Sequence, residues 1–134
     1  MCEAPEIENV RYDISAPVMD REQIDSLLMA EDEEESKSLA RELFTLYETE
    51  SREKLAEIDR ICRERDSDAL RKLVHFIAGS AGNLGLTRLH AFYRGIEQAI
   101  DDGELDDFQA CARLIPREFE RSCKAFCQAL DLDR

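Results

Sequence analysis

Apolar residues recur every three or four positions along most of the chain, which is the spacing of amphipathic α-helices. The longest such segment begins at Ser36 or in the acidic run that precedes it. Its apolar stripe consists of Leu39, Leu43, Leu46, Tyr47, Leu55, Ile58 and Cys62. A shorter stripe follows Asp20, a residue that can cap a helix N-terminus, and consists of Ile24, Leu27 and Leu28. Residues 1–18 show no helical period, so we predict an extended or disordered segment there.

Three more helices are predicted in the second half of the chain. Asp66 or Ser67 begins the first, which ends at Gly85 and carries Leu70, Leu73, Ile77 and Leu84. The second ends at Asp101-Asp102-Gly103. Its residues predicted to face the core are Leu89, Phe92, Tyr93, Ile96, Ala99 and Ile100. The third spans about Glu104 to Leu130 and is kinked or split at Pro116, because proline removes a backbone donor.

No segment shows the alternating pattern of a β-strand. Long amphipathic helices with short connections pack as antiparallel neighbours. The pattern therefore predicts an all-α fold, an up-down antiparallel four-helix bundle with an additional short N-terminal helix, over residues 19–132.

Charge narrows the range of partners. The 134 residues carry 31 acidic and 18 basic side chains, a net charge of −13, which argues against nucleic acids and anionic membranes as partners. Most of the excess lies in residues 1–50, which hold 15 acids and 4 bases. The densest part, Glu31 to Glu35, is interpreted as a solvated linker and helix start; a contact surface for a basic partner is the alternative.

Five cysteines without a CxxC motif indicate reduced thiols in a cytoplasmic protein. Cys123 and Cys127 would share a helix face, but they lack further ligands nearby and are interpreted as small buried apolar residues rather than a metal pair. The first residues lack the basic and apolar regions of a signal peptide. No apolar run approaches the roughly 18 residues of a membrane span.

His75 lies on the side of its predicted helix that faces away from the core. On a helical wheel of about 100° per residue, Leu73, Ile77 and Leu84 lie opposite the imidazole. Ala78, Gly79 and Gly82 follow it on the outward stripe. Glycine in an exposed helix costs about 1 kcal/mol relative to alanine. We interpret the small residues as clearance that lets another molecule reach the imidazole; close packing of a further helix is the competing use.

The surroundings of His75 are locally basic. Arg71 and Lys72 lie on the preceding turn, and residues 67–100 hold four basic and two acidic side chains. This favours an anion such as a phosphoryl group near the imidazole. Arg88 and Arg94 contribute to that count, although a solubilising role explains them equally well.

The surroundings also limit the chemistry. No Ser, Cys or carboxylate is spaced to form a nucleophile pair with His75, and a convex helix surface lacks the pocket that acid–base catalysis needs. Arg94 next to His90 disfavours a cation. No glycine-rich phosphate loop precedes a helix, so autophosphorylation by ATP is not expected. The chemistry that remains is covalent catalysis, in which the neutral imidazole acts as the nucleophile in phosphoryl transfer.

The stretch from His75 to Gly85 resembles the signature of histidine-containing phosphotransfer (HPt) domains. That signature is a histidine followed by Leu/Ile, Lys, Gly, small residues and a further Gly. The similarity extends over about residues 18–132. It implies a phosphorelay intermediate of two-component signalling with His75 as the phosphoacceptor and Gly79 giving access.

The resemblance also implies the partners. They are response-regulator receiver domains, including that of a hybrid sensor kinase, which supply the acidic pocket and the Mg²⁺; the chain then needs no cofactor or metal of its own and acts as a monomeric phosphocarrier. One position departs from the family, since Ala78 stands where a lysine usually binds the phosphoryl oxygens. Lys72 is a candidate to compensate. The alternative function is a binding module that docks on a receiver or kinase and regulates it without carrying phosphate.

Overall fold

The computed structural model describes residues 4–27 and 32–132, and six helices occur within them. They are α1 (Arg21–Leu27), α2 (Glu33–Leu55), α3 (Ile58–Arg63), α4 (Ser67–Asn83), α5 (Thr87–Asp101) and α6 (Phe108–Ala129). No strand occurs in these residues. The predicted all-α bundle is confirmed, with α2, α4, α5 and α6 as its four long helices and α1 as the short N-terminal one.

Helices α4 and α5 form an antiparallel pair joined by residues 84–86. The carboxylate of Asp101, at the end of α5, accepts a hydrogen bond of 2.6 Å from Nε of Arg71, near the start of α4. Closer to the turn, Nδ1 of His90 lies 2.8 Å from the carbonyl oxygen of Ala78. This close pair presents the site described below.

Helices α2 and α6 are also antiparallel. The ring of Phe44 stacks on that of Phe126 with centroids 5.4 Å apart, whereas Arg52, later in α2, binds Glu120, earlier in α6, at 2.6 Å. Aromatic stacking of this kind adds to the free energy gained by burying apolar surface.

Aspartates cap the helices in the positions that the sequence predicts. The carboxylate of Asp66 accepts a hydrogen bond from the backbone N–H of Ala69 at 3.1 Å, and Asp20 accepts one from Gln23 at 3.2 Å. Each of these bonds satisfies a backbone donor that the first helical turn leaves free. The cap of α2 is Asp32, so residues 32–35 of the acidic run form the start of that helix.

Glycines end α4 and α5 as predicted. Gly85 and Gly103 have φ angles of +70° and +68°, the left-handed conformation that glycine adopts without strain. At Gly85 a side chain would also collide, because an added Cβ would lie 2.9 Å from the carbonyl oxygen of Asp20. The turn between α4 and α5 therefore holds the start of α1 in place.

The apolar stripe predicted for α2 is partly wrong. Tyr47 is buried, but Leu39 and Leu46 are 37% and 57% exposed, and Phe44, which the stripe omitted, is buried. The buried face is rotated because Phe44 packs against Phe126 of α6. The side chains of Leu27 and Leu28 lie outside the residues that the structure describes.

Two helix boundaries differ from the prediction. The long segment that was expected to run through Cys62 is interrupted at Ala56 and Glu57, where the N–H of Glu57 bonds to Lys54 in a tighter turn. The last helix begins at Phe108 rather than at Glu104. It continues through Pro116 without splitting.

Residues 4–20 contain no helix and pack against α5. The ring of Tyr12 contacts Phe92 with centroids 5.4 Å apart, and Ile7 is buried. An added Cβ at Gly95 would lie 2.8 Å from the carbonyl oxygen of Arg11, so the segment crosses α5 where that helix lacks a side chain. The division into residues 1–18 and a bundle of 19–132 stays a prediction.

Candidate functional site

His75 projects from the exposed side of α4. Its side chain is 58% exposed, whereas Leu73, Ile77 and Leu84 on the opposite side of the helix are buried. The direction predicted from the helical wheel is therefore correct. An imidazole in this position is accessible to a second molecule.

Glu97 of α5 binds the imidazole directly. Its Oε2 lies 2.7 Å from Nδ1 of His75, and its side chain is only 10% exposed. The other carboxylate oxygen accepts a hydrogen bond of 2.7 Å from Nη1 of Arg94. The expectation that no carboxylate pairs with His75 is wrong, because the partner comes from the neighbouring helix.

This contact decides which ring nitrogen is free. A carboxylate only accepts hydrogen bonds, so Nδ1 of His75 carries the proton and Nε2 carries the lone pair. Nη1 of Arg94 lies 3.3 Å from Nδ1, but it donates to Glu97 at the shorter distance of 2.7 Å. The neutral ring therefore presents Nε2 to solvent as a nucleophile.

Charged groups surround Glu97 on two sides. Burial raises the pKa of Glu97, but hydrogen bonds from Arg94 and His75 outweigh this effect and hold the pKa below its usual value. Nη2 of Arg71 lies 3.3 Å from Glu97, and hydrogen bonds from Arg71 also lower the pKa of Asp101. The carboxylate beside the imidazole is thus ionised at neutral pH.

The three small residues predicted to line the outward stripe have different environments. Gly79 is exposed, and an added Cβ would have no atom within 4 Å. Ala78, in contrast, is fully buried, because α5 packs over it. At Gly82 an added Cβ would lie 2.8 Å from Nδ1 of His90. Clearance explains Gly79 only; Gly82 fits the competing interpretation, close packing of the next helix.

The basic surroundings predicted for His75 are largely neutralised. Arg88 is 5% exposed and forms a two-bond ion pair with the buried Glu118, so its interpretation as a solubilising charge is wrong. Arg71 and Arg94 pair with Asp101 and Glu97. Lys72 is exposed, and no carboxylate of the described residues forms an ion pair with it.

A simple signal in the sequence could have located Glu97. His75 and Glu97 lie eleven residues before and after Leu86, in the turn between α4 and α5. In an antiparallel helix pair, residues equally distant from the turn lie side by side. Arg71 and Asp101, fifteen residues from Leu86, obey the same relation.

Metal-binding clusters and membrane-spanning helices are both absent from the part of the chain that the structure describes. Over residues 4–27 and 32–132, no group of three or more His, Cys, Asp or Glu side chains is arranged to hold a metal ion. Within the same ranges, every helix is too short or too polar to cross a bilayer.

Comparison with known proteins identifies the family. The Hpt domain family matches residues 42–129, which include α3, α4, α5 and α6. Among solved structures, the chain is similar to histidine-containing phosphotransfer protein B (HptB) from Pseudomonas aeruginosa PAO1. The identity is 27%, the TM-score is 0.70, and the match covers 90% of this chain and 100% of the other. No curated protein matches. Because the family match covers most of the chain and includes the exposed histidine, this protein belongs to the Hpt domain family, whose members are the histidine phosphocarriers of two-component phosphorelays.

Proposed function

We propose that Nε2 of His75 accepts a phosphoryl group from the phosphoaspartate of one receiver domain and passes it to the aspartate of another. The observation that carries this proposal is the exposed imidazole whose Nδ1 is held by the carboxylate of Glu97 at 2.7 Å. A fixed Nδ1–H leaves the Nε2 lone pair oriented toward the incoming phosphorus atom.

The phosphoryl transfer needs neither a metal ion nor a general base from this chain. The Nε2 lone pair forms the new N–P bond as the P–O bond to the partner aspartate breaks, and the aspartate leaves as a carboxylate. The ring becomes positively charged, since Nδ1 keeps its proton. Glu97 stabilises this charge, because its carboxylate lies against Nδ1 and is already ionised.

Arg94 is the cation we assign to the phosphoryl group. Ala78, which stands where the family usually has a lysine, is buried and carries no charge. Arg94 lies 3.3 Å from the imidazole, its side chain is 46% exposed, and only part of its guanidinium is used by Glu97. Its remaining donors can bind phosphoryl oxygens. Lys72, one turn before His75, is the second candidate.

Gly79 gives the receiver access to the imidazole. It lies one turn after His75, and nothing stands within 4 Å of the space its side chain would occupy. The receiver brings its own acidic pocket and Mg²⁺, so the carrier uses no cofactor. We propose further that it acts as a cytoplasmic monomer without autokinase activity.

The test is transfer from a phosphorylated receiver domain, followed by detection of an acid-labile, base-stable phosphoryl group on the carrier. We expect label on the wild type and none on His75→Gln. His90→Gln is the matched control, because His90 is the other of the two histidines and its Nδ1 is bound to the Ala78 carbonyl. That variant should still be labelled.

Equal labelling of His75→Gln and the wild type would contradict the assignment. A second result would favour the binding module. In that case the chain binds a receiver with the same affinity in wild type and His75→Ala, and no receiver transfers phosphate to it. The absence of a lysine at Ala78 is the observation that favours this second function.

A further inference from the structure

Helix α6 carries a row of basic side chains on its outer surface. We call this row the basic ridge and define it as Arg113, Arg117, Arg121 and Lys124. At about 100° per residue these positions fall within an arc of about 80° of the helix. They alternate with the buried positions of α6, which include Ile115, Phe119 and Cys123. The ridge therefore faces away from the core.

The ridge is unusual because the chain has a large excess of carboxylates. Several exposed arginines elsewhere pair with acids, as Arg52 does with Glu48 and Arg60 does with Glu57, whereas the exposed Arg41 and Arg63 form no ion pair with the described residues. Over residues 4–27 and 32–132, Arg113, Arg117 and Lys124 have no carboxylate within ion-pair distance.

The acids of α6 itself do not pair with Arg113, Arg117 or Lys124. Glu118 points inward and is bound by Arg88, and Glu120 is bound by Arg52 at 2.6 Å. These are the two acidic residues of the helix. The outer surface of α6 therefore carries a net positive charge in a chain whose formal net charge is −13.

Concave surface lies on both sides of the ridge. Arg117 and Arg121 line a groove of about 580 Å³ with Lys124 and one acid, Glu120. They also line a second groove of about 580 Å³ with Arg113 and one acid, Glu6, so basic side chains outnumber acids in both. Guanidinium groups at the edge of a groove can bind carboxylates through two parallel hydrogen bonds. Neither groove contains a residue of the His75 site.

We propose that the basic ridge is a second docking surface, separate from the His75 site, for an acidic peptide segment of a partner protein. The ridge spans about 16 Å, since eleven residues separate its ends and each rises about 1.5 Å. A strand of about five residues covers this distance at about 3.3 Å per residue. Alternate carboxylates on such a strand would meet successive basic side chains.

The acidity of the whole chain favours a short peptide over other anions. Charges interact over about 8–10 Å at physiological salt. A nucleic acid or an anionic membrane extends far beyond the ridge and would meet the acidic remainder of the surface. A short acidic segment of a protein avoids this repulsion.

The probe is a fluorescently labelled peptide of about ten glutamates, titrated with the full chain and followed by anisotropy. We expect saturable binding that weakens at least tenfold in Arg113→Gln/Arg117→Gln and weakens with added salt. The control is Arg41→Gln/Arg60→Gln, which lowers the net charge by the same amount at exposed arginines outside α6. It should bind like the wild type.

Thermal melting by circular dichroism establishes that both variants fold, and phosphotransfer to His75 should be equal in both. Binding that weakens equally in the two double variants, or that does not saturate, would overturn the proposal. Tighter binding to a DNA duplex or to phosphatidylserine vesicles than to the peptide would also overturn it. A wild-type chain that accepts no phosphate would contradict the function proposed for His75 but not peptide binding by the ridge. The two proposals can therefore fail independently.

Discussion

At the scale of single residues, Glu97 orders the site. Its carboxylate accepts hydrogen bonds from His75 and Arg94 and lies 3.3 Å from Arg71. The sequence placed His75 on the surface, because the positions of its apolar neighbours decide which way it points. The spacing within α4 alone did not reveal the ionic partners, which come from α5.

Glu97→Gln tests the carboxylate through pH. The pKa of Glu97 is lowered in the folded protein, so its ionised form stabilises the fold above the unfolded pKa of about 4.3, and this contribution is lost as the pH falls through the lower folded pKa. At pH 7 we expect the variant to lose about 1.5 kcal/mol of unfolding free energy. The difference in unfolding free energy between the wild type and Glu97→Gln should shrink at pH 3, as measured by urea denaturation. A constant difference would contradict the linkage.

The same variant should slow phosphotransfer at pH 7. Glutamine can still accept a hydrogen bond from Nδ1, but it cannot stabilise the positive ring by charge. A loss of about 2 kcal/mol in the transition state corresponds to about a thirtyfold lower rate in a stopped-flow assay. A wild-type rate in Glu97→Gln would leave Glu97 with a structural role alone.

Arg94→Gln and Lys72→Gln compare the two candidate phosphoryl ligands. Nη1 of Arg94 lies 3.3 Å from Nδ1 of His75, whereas no hydrogen bond joins the described side chain of Lys72 to the imidazole. We therefore expect Arg94→Gln to lower the phosphotransfer rate about tenfold and Lys72→Gln to lower it about twofold at most, given the value of charge-assisted hydrogen bonds. The reverse order would show that Lys72 replaces the missing lysine.

At the scale of helices, the pair α4–α5 gives its glycines different functions. Gly79 leaves open space beside His75, whereas Gly82 makes room for the ring of His90, which binds the carbonyl of Ala78. From the sequence the two glycines look equivalent, because they lie on one stripe of α4. They differ because α5 packs against the side of α4 that carries Ala78 and Gly82 and leaves Gly79 uncovered.

Alanine substitutions should therefore have opposite effects on stability. Gly79→Ala gains helix propensity without a collision, so the unfolding free energy should rise by about 1 kcal/mol. Gly82→Ala places a Cβ 2.8 Å from Nδ1 of His90 and should lower it by about 1 kcal/mol, because the hydrogen bond to Ala78 is lost. Chemical denaturation measures both. Stabilisation by both substitutions would contradict the packing assigned to Gly82.

At the scale of the whole molecule, Arg88 and Glu118 form a buried ion pair between α5 and α6. Two hydrogen bonds of 2.8 and 2.9 Å join them, and both side chains are almost completely buried. Such a pair holds the two helices in one register, since any slip would leave a buried charge without its partner. No local pattern distinguishes Arg88 from the exposed arginines.

Removing one partner of this ion pair should lower the unfolding free energy more than replacing both partners with apolar residues. Glu118→Ala leaves the guanidinium buried without its partner, and we expect a loss of about 3–5 kcal/mol. The double variant Arg88→Met/Glu118→Leu removes both charges and should lose less. Urea denaturation of the two variants provides the measurement. A double variant less stable than Glu118→Ala would show that the pair itself contributes net stability.

The sequence by itself determined the helical content, the caps at Asp20 and Asp66, the glycine ends at Gly85 and Gly103, and the outward direction of His75. Each of these depends on residues within a turn or two along the chain, where spacing and capping chemistry act. Only the tertiary structure decided the buried face of α2, the burial of Ala78 and the ionic partners of His75 and Arg88. These depend on which helix packs alongside and in what register, and local periodicity does not contain that information.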